Sequence, residues 1–220
     1  DISLIAMGVA QSVTYSDSSA VTNLNIGGYL STMPVTFTLT GAAGGVGGFD
    51  GNGGGTRRNS GASPVYTGVF SLAAGTAISL APGGGGASGV YVYGTSTAPG
   101  AGGASLLGTA GSAGSVSTYY YAGDGGGGGG ASVVSIAGTG TLVAKGASGG
   151  QGADYSDSGG AGGAGGGTTG YTGTPSAVST STSSTQLANG ASGSIVVTQN
   201  QGGEITFNGS VDGNQALTLI

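Results

Sequence analysis

The chain has 220 residues, 55 of them glycine, no cysteine, histidine or tryptophan, and a formal charge of −5 with only Arg57, Arg58 and Lys145 as cations. So few cations give phosphate backbones nothing to bind, which excludes nucleic acid as a partner. Without histidine or cysteine there is no Ser/His or Cys/His pair and no zinc site, so the chain reads as a non-enzyme that needs no cofactor.

Leu, Ile, Val and Phe total 41, just under a fifth of the residues. That is poor in core, but disorder by composition also requires a high net charge, which is lacking. Five prolines and no strict Gly-X-Y period remove collagen. Ordering a backbone is costly, most of all at glycine, and so few large apolar side chains cannot offset that cost alone. The deficit points to backbone pairing. Extended left-handed helices with three residues per turn have no internal hydrogen bonds, so their N–H and C=O groups point outward and can satisfy neighbouring helices wherever no Cβ holds them apart. The alternative is that the glycine tracts are flexible loops.

In chain order, "DISLIAMGVA" (1–10) has neither a starting Met nor a basic leader region and reads as the start of a processed chain or a fragment. "PVTFTLT" (34–40) alternates Val35, Phe37 and Leu39 against threonines, the period of a strand with one buried face. "GAAGGVGG" (41–48) is the first glycine tract, followed by "FDGNGGG", in which Asp50 and Asn52 are oxygen ligands of a hard-cation type. The same residues also mark turns. Arg57 and Arg58 read as a solvated loop or a contact for an acidic partner. Two strands around Val69–Leu72 and Thr76–Leu80, joined through Ala73-Ala74-Gly75, predict a hairpin.

"VYVYG" (90–94) predicts a strand with Tyr91 and Tyr93 on one face, and Tyr119, Tyr120 and Tyr121 stand together before a second, longer glycine tract. Flat rings with a hydroxyl suit a glycan or receptor surface, or they cap a glycine bundle that has little apolar cover of its own. Residues 125–130 are six consecutive glycines, expected to pack against 41–48 and 159–167. "SVVSI" (132–136) and "TLVAK" (141–145) are further strands, with Lys145 a solvated cation at a strand end. "ADYSDSGG" adds Asp154 and Asp157 as weak calcium candidates, and "SAVSTSTSSTQ" (176–186) reads as a polar loop. "SIVVTQ" (194–199) and "EITFNG" (204–209) close the series. The longest apolar stretch is far below the ~18 residues of a membrane span. The expectation is an all-β chain with polyglycine helices bundled between short strands and no significant α-helix. Its three parts are an extended segment at 1–32, a glycine-rich domain at 33–199 and a strand segment at 200–220.

Four stretches, "VTFTLTGAAGGVGG", "GVFSLAAGTAISLAPGGGGASG", "GGGGGGASVVSIAGTGTLVAKGASGGQG" and "GASGSIVVTQ", together resemble the glycine-rich domain of bacterial surface proteins and phage tail-fibre tips, also seen in the extracellular part of anaplastic lymphoma kinase. That resemblance implies bundled polyglycine helices edged by strands. "GGEITFNGSVDGNQALTLI" resembles one coil of filamentous-haemagglutinin-like adhesin repeats, which need about three units to be stable. Both resemblances imply an extracellular structural or adhesive protein at a cell surface or in a fibre. One form is a filament subunit that binds itself head to tail by strand addition, through Ile2, Leu4, Ile5, Ile205, Phe207, Leu217, Leu219 and Ile220, or a module of a large adhesin. The other is a phage tail-fibre tip whose loops meet a host protein or glycan.

Overall fold

The structure is a computed structural model and describes residues 3–4, 10–26, 32–50, 58–90, 98–118, 121–153, 159–182, 190–200 and 218–219. Among them are the strands β1 (Ser3–Leu4), β2 (Ala10–Tyr15), β3 (Thr22–Asn25), β4 (Met33–Thr40), β5 (Pro64–Leu72), β6 (Ala77–Ala81), β7 (Ser132–Ile136), β8 (Gly140–Ala144), β9 (Gly170–Tyr171), β10 (Ala177–Thr182), β11 (Ser194–Asn200) and β12 (Thr218–Leu219), and no helix. No helix among the described residues is long and apolar enough to cross a membrane.

Two antiparallel five-stranded sheets, ordered β10-β5-β4-β11-β2 and β3-β6-β7-β8-β9, share one core. The alternation in β4 does what its period predicts: Val35, Phe37 and Leu39 are fully buried, with the threonines half-buried on the other face. β5 and β11 add Tyr66, Phe70, Leu72, Ile195 and Val197 from the same side. The opposing sheet supplies Ile78, Leu80, Val134, Ile136 and Leu142. Phe37 and Phe70 meet edge to face at 6.2 Å and 67°. At Gly68 the missing side chain makes room for Leu142 of the other sheet.

Two expectations change. The segments at 69–72 and 76–80 do not form a hairpin: β5 pairs with β4 and β10, β6 with β3 and β7, and Ala73–Thr76 crosses from one sheet to the other with Gly75 at φ 82°. The polar segment after residue 176 contributes β10, because its backbone finds a full partner in β5 where its side chains offer no burial. β2 and β3 each join one of the two sheets and bring residues 10–26 into the sandwich.

The strands run directly into glycine tracts. β4 continues into 41–48, β6 into 82–90 and β8 into 145–153, while 122–131 leads into β7 and 190–193 into β11. Residues 122–131 are all buried, with none of the bulk that normally fills a core. Their polar groups are satisfied in a pattern of period three. Gly123, Gly126 and Gly129 donate to the carbonyls of Ala153, Gly150 and Ala147. Asp124, Gly127 and Gly130 donate to Val90, Ala87 and Gly84, and Gly125, Gly128 and Ala131 to Ser115, Ser112 and Thr109. The carbonyls of 123, 126 and 129 accept from Gly160, Gly163 and Gly166, those of 124, 127 and 130 from Gly48, Gly45 and Ala42, and those of 125 and 128 from Gly100 and Gly103. These N···O distances run from 2.8 to 3.4 Å.

One tract thus bonds to six others, and the six form a closed ring. Gly86 donates to Ala43, Ala87 to Ala101, Gly111 to Gly103, Ser112 to Ala164, Gly149 to Gly163 and Ala147 to Ala42, so each tract is also tied to the next around the circle. Glycine is required by this close approach. A Cβ built at Gly127 or Gly128 falls on the carbonyl oxygen of Ala101 or Ala164, well inside 3.0 Å. The tracts at 41–48 and 159–167 that the sequence singles out are two of the six.

Candidate binding surface at the far pole of the bundle

The hydrogen-bond register defines two poles. At the pole near the sandwich, Gly130 bonds Gly84 and Ala42, and the chain passes into β7. At the far pole, Gly123, Asp124 and Gly125 stand level with Gly48, Val90, Gly100, Ser115, Ala153 and Gly160. Four described stretches stop near that level, at Asp50, Val90, Thr118 and Ala153, and the next described residues are Arg58, Ala98, Tyr121 and Gly159.

This pole carries an apolar rim. Phe49 is 60% exposed, and Val90, Val116 and Tyr121, which lie along the chain at or next to the same level of the bundle, are also exposed. A bundle without side chains in its interior cannot draw these groups inward, so they stay at the surface. Asp124 sits beneath them, completely buried, and its Oδ1 accepts the Ser117 amide at 2.8 Å. It is the single non-glycine residue in 123–130 and anchors the chain leaving the 109–115 tract. Asp50 is half-buried at the same pole.

Of the residues singled out in the sequence, Tyr121 lies in a turn at this pole and Asp50 beside it. Tyr91, Tyr93, Tyr119, Tyr120, Asn52, Asp154 and Asp157 lie outside the described residues, in segments whose described flanks stand at this end. Val90 itself is not in a strand. Among the described residues there is no group of three or more potential carboxylate, histidine or cysteine metal ligands. Phe49, Val90, Val116 and Asp124 are not evident from the sequence. A lone acid interrupting a glycine run is the available signal for Asp124.

The opposite pole lies at the far ends of β2 and β11. Ala10 of β2 pairs with Asn200 of β11, so β2 starts and β11 stops at one corner of the sandwich, at the ends of these strands away from the bundle. Leu4 and Leu219 are brought together, because β1 pairs with β12 in parallel at Ser3↔Thr218 and Leu4↔Leu219. Ile2, Ile5, Ile205, Phe207, Leu217 and Ile220 lie outside the described residues. Between the poles, Ser132 ties the two sheets where they enter the bundle. Its buried Oγ donates to the Thr40 carbonyl at 2.7 Å and accepts the Gly83 amide at 3.0 Å.

No protein-family model matches the chain, and no curated protein sequence does.

Proposed function

We propose that this chain is a non-catalytic, extracellular structural and adhesive protein: a subunit of a self-assembling surface filament, or a module of a large adhesin, built on a bundle of polyglycine II helices. The observation that carries the reading is the polarity of the molecule. β2 starts and β11 stops at one corner of the sandwich, while the bundle carries the exposed apolar residues Phe49, Val90, Val116 and Tyr121 at the other end. A period of three in the bonding partners is what left-handed helices with three residues per turn produce, and six neighbours around one is the close packing of such rods. The bundle is then a stiff spacer, and the sandwich is the part that joins subunits by strand addition. Electron microscopy and sedimentation of the purified chain test assembly: filaments are expected, and a protein that stays monomeric at every concentration overturns the filament reading. Hydrogen exchange tests the bundle. Amides of Gly125–Gly130 should exchange only on global unfolding, and exchange at loop rates removes the polyglycine helices.

The same polarity favours a second reading, a phage tail-fibre tip attached by one pole and touching a host protein or glycan with the other. Truncating Phe49, Tyr121, Tyr91 and Tyr93 to Ala separates the two. Lost cell attachment with intact assembly supports a contact surface, and lost assembly gives the rings to the scaffold.

A further inference from the structure

We propose that copies of this chain add edge to edge, β10 of one copy against β2 of the next, into a continuous sheet that winds around the filament axis. The inference rests on the filament reading above and names its surface. β2 and β10 are the two edges of the same sheet, each six residues long. Exposed edges are normally blunted by charge, proline or a bulge. "AQSVTY" and "AVSTST" contain no charge and no proline.

Register makes the two edges complementary. Val13 pairs with Val197, Val197 with Phe37, Phe37 with Gly68, and Gly68 with Val178, so Val13 and Val178 end the same row across the sheet. Phe37 and Val197 on that row are buried, which puts both end valines on the core-facing side. Yet Val13 is 50% and Val178 42% exposed, each standing on a strand with a sheet neighbour on one side only. Val13 and Tyr15 also line a groove of about 150 Å³ with Leu24 and Val197. A row that begins and ends on a half-covered valine is completed by a second copy shifted along it.

Direction agrees with this. Four successive antiparallel pairings separate β2 from β10, so the two edges run the same way, and a copy in the same orientation presents β10 parallel to β2. Opposite edges meeting make a heterologous contact, which propagates into an open filament. Five strands at ~4.8 Å give a rise of about 24 Å per copy. A twist of roughly 20–25° per strand gives about 100–125° per copy, so the bundles project radially, about three to a turn.

The test uses the full-length chain with Val13→Lys and Val178→Glu. Each variant alone should raise the concentration needed for filaments by about tenfold or more, because every joint then carries one unpaired charge. An equimolar mixture should restore filaments, since Lys on β2 of one variant meets Glu on β10 of the other and the remaining joint is wild type. Thermal melting of each variant at low concentration should match the parent, which separates lost joining from lost folding. If Val13→Lys blocks assembly while Val178→Glu does not, β2 joins its own copy about a twofold axis and the proposal fails. If both variants form normal filaments, the edges are not the joint, and the filament reading survives without it. If the parent itself never assembles, both readings fall.

Discussion

The sandwich and the bundle exclude water from their interiors by different means. In the sandwich, Phe37, Leu39, Phe70, Leu80 and Leu142 fill the space between two sheets, and backbone pairing serves to aim them inward. In the bundle, residues 122–131 are just as buried, but nothing fills the space except other backbones, and each amide between 123 and 131 has its own carbonyl. Side-chain packing accepts many shapes of similar volume. A backbone lattice accepts only the absence of a side chain. One chain therefore contains a part whose sequence is free within a hydrophobic alphabet and a part whose sequence has almost no freedom.

The sharpest break in that contrast is Gly127→Val with Gly128→Val. Both Cβ atoms fall on carbonyl oxygens, and no flexible side chain is there to yield, so no folded protein is expected by circular dichroism or limited proteolysis. Gly170→Ala is the control: nothing lies within 4 Å of its Cβ, and melting should move by no more than about 0.5 kcal/mol. An unchanged double variant would mean that the tracts are loops. Next in size, Phe37→Ala should cost about 3–5 kcal/mol in denaturant titration, and Phe37→Leu less than about 1.5 kcal/mol, because a packed core tolerates a change of shape better than a void. Equal costs for the two would place Phe37 outside a packed core.

Ser132→Ala examines the seam between the two regions. It leaves the Gly83 amide buried without its acceptor and should cost about 1–3 kcal/mol. A neutral result would show the two sheets held at the seam by the glycine backbone alone.

The smallest effect is a pH dependence confined to the sandwich. Burial pushes the Tyr66 phenol above its ordinary 10.0, with Tyr171 adding to the shift. In the unfolded chain the phenol ionises first, so its contribution is full below pH 10 and declines as the pH rises toward the folded value. Denaturation midpoints should fall above pH 10 in the parent and less so in Tyr66→Phe, and identical profiles would refute this.

Much of the sandwich is legible because β4, β7, β8 and β11 alternate around a buried face. The crossing at Ala73–Thr76 is not, since a short linker with glycine fits either a hairpin or a crossing. What decides is that β5 finds longer partners in β4 and β10 than β6 can offer. β10 has only Val178 as an apolar marker, too little for a pattern to register. In the bundle, 41–48, 125–130 and 159–167 announce themselves by glycine density. The tracts at 98–104 and 109–115 are diluted by alanine and serine, and their signal is the spacing Gly100/Gly103 and Gly111/Gly114. The apolar rim is illegible in principle from local patterns, because it depends on which four ends coincide.

The period of three has a consequence for how such a protein can change over generations. Adding one residue to the central tract would turn every amide beyond it toward the wrong neighbour, and adding two would do the same. Only three at a time bring each donor back to its own partner, and the new turn stays unmatched unless the surrounding six tracts lengthen as well. The bundle can therefore vary in length only by whole triplets acquired in concert. Single insertions and deletions are confined to residues outside the tracts, where relatives of this chain should differ most from one another.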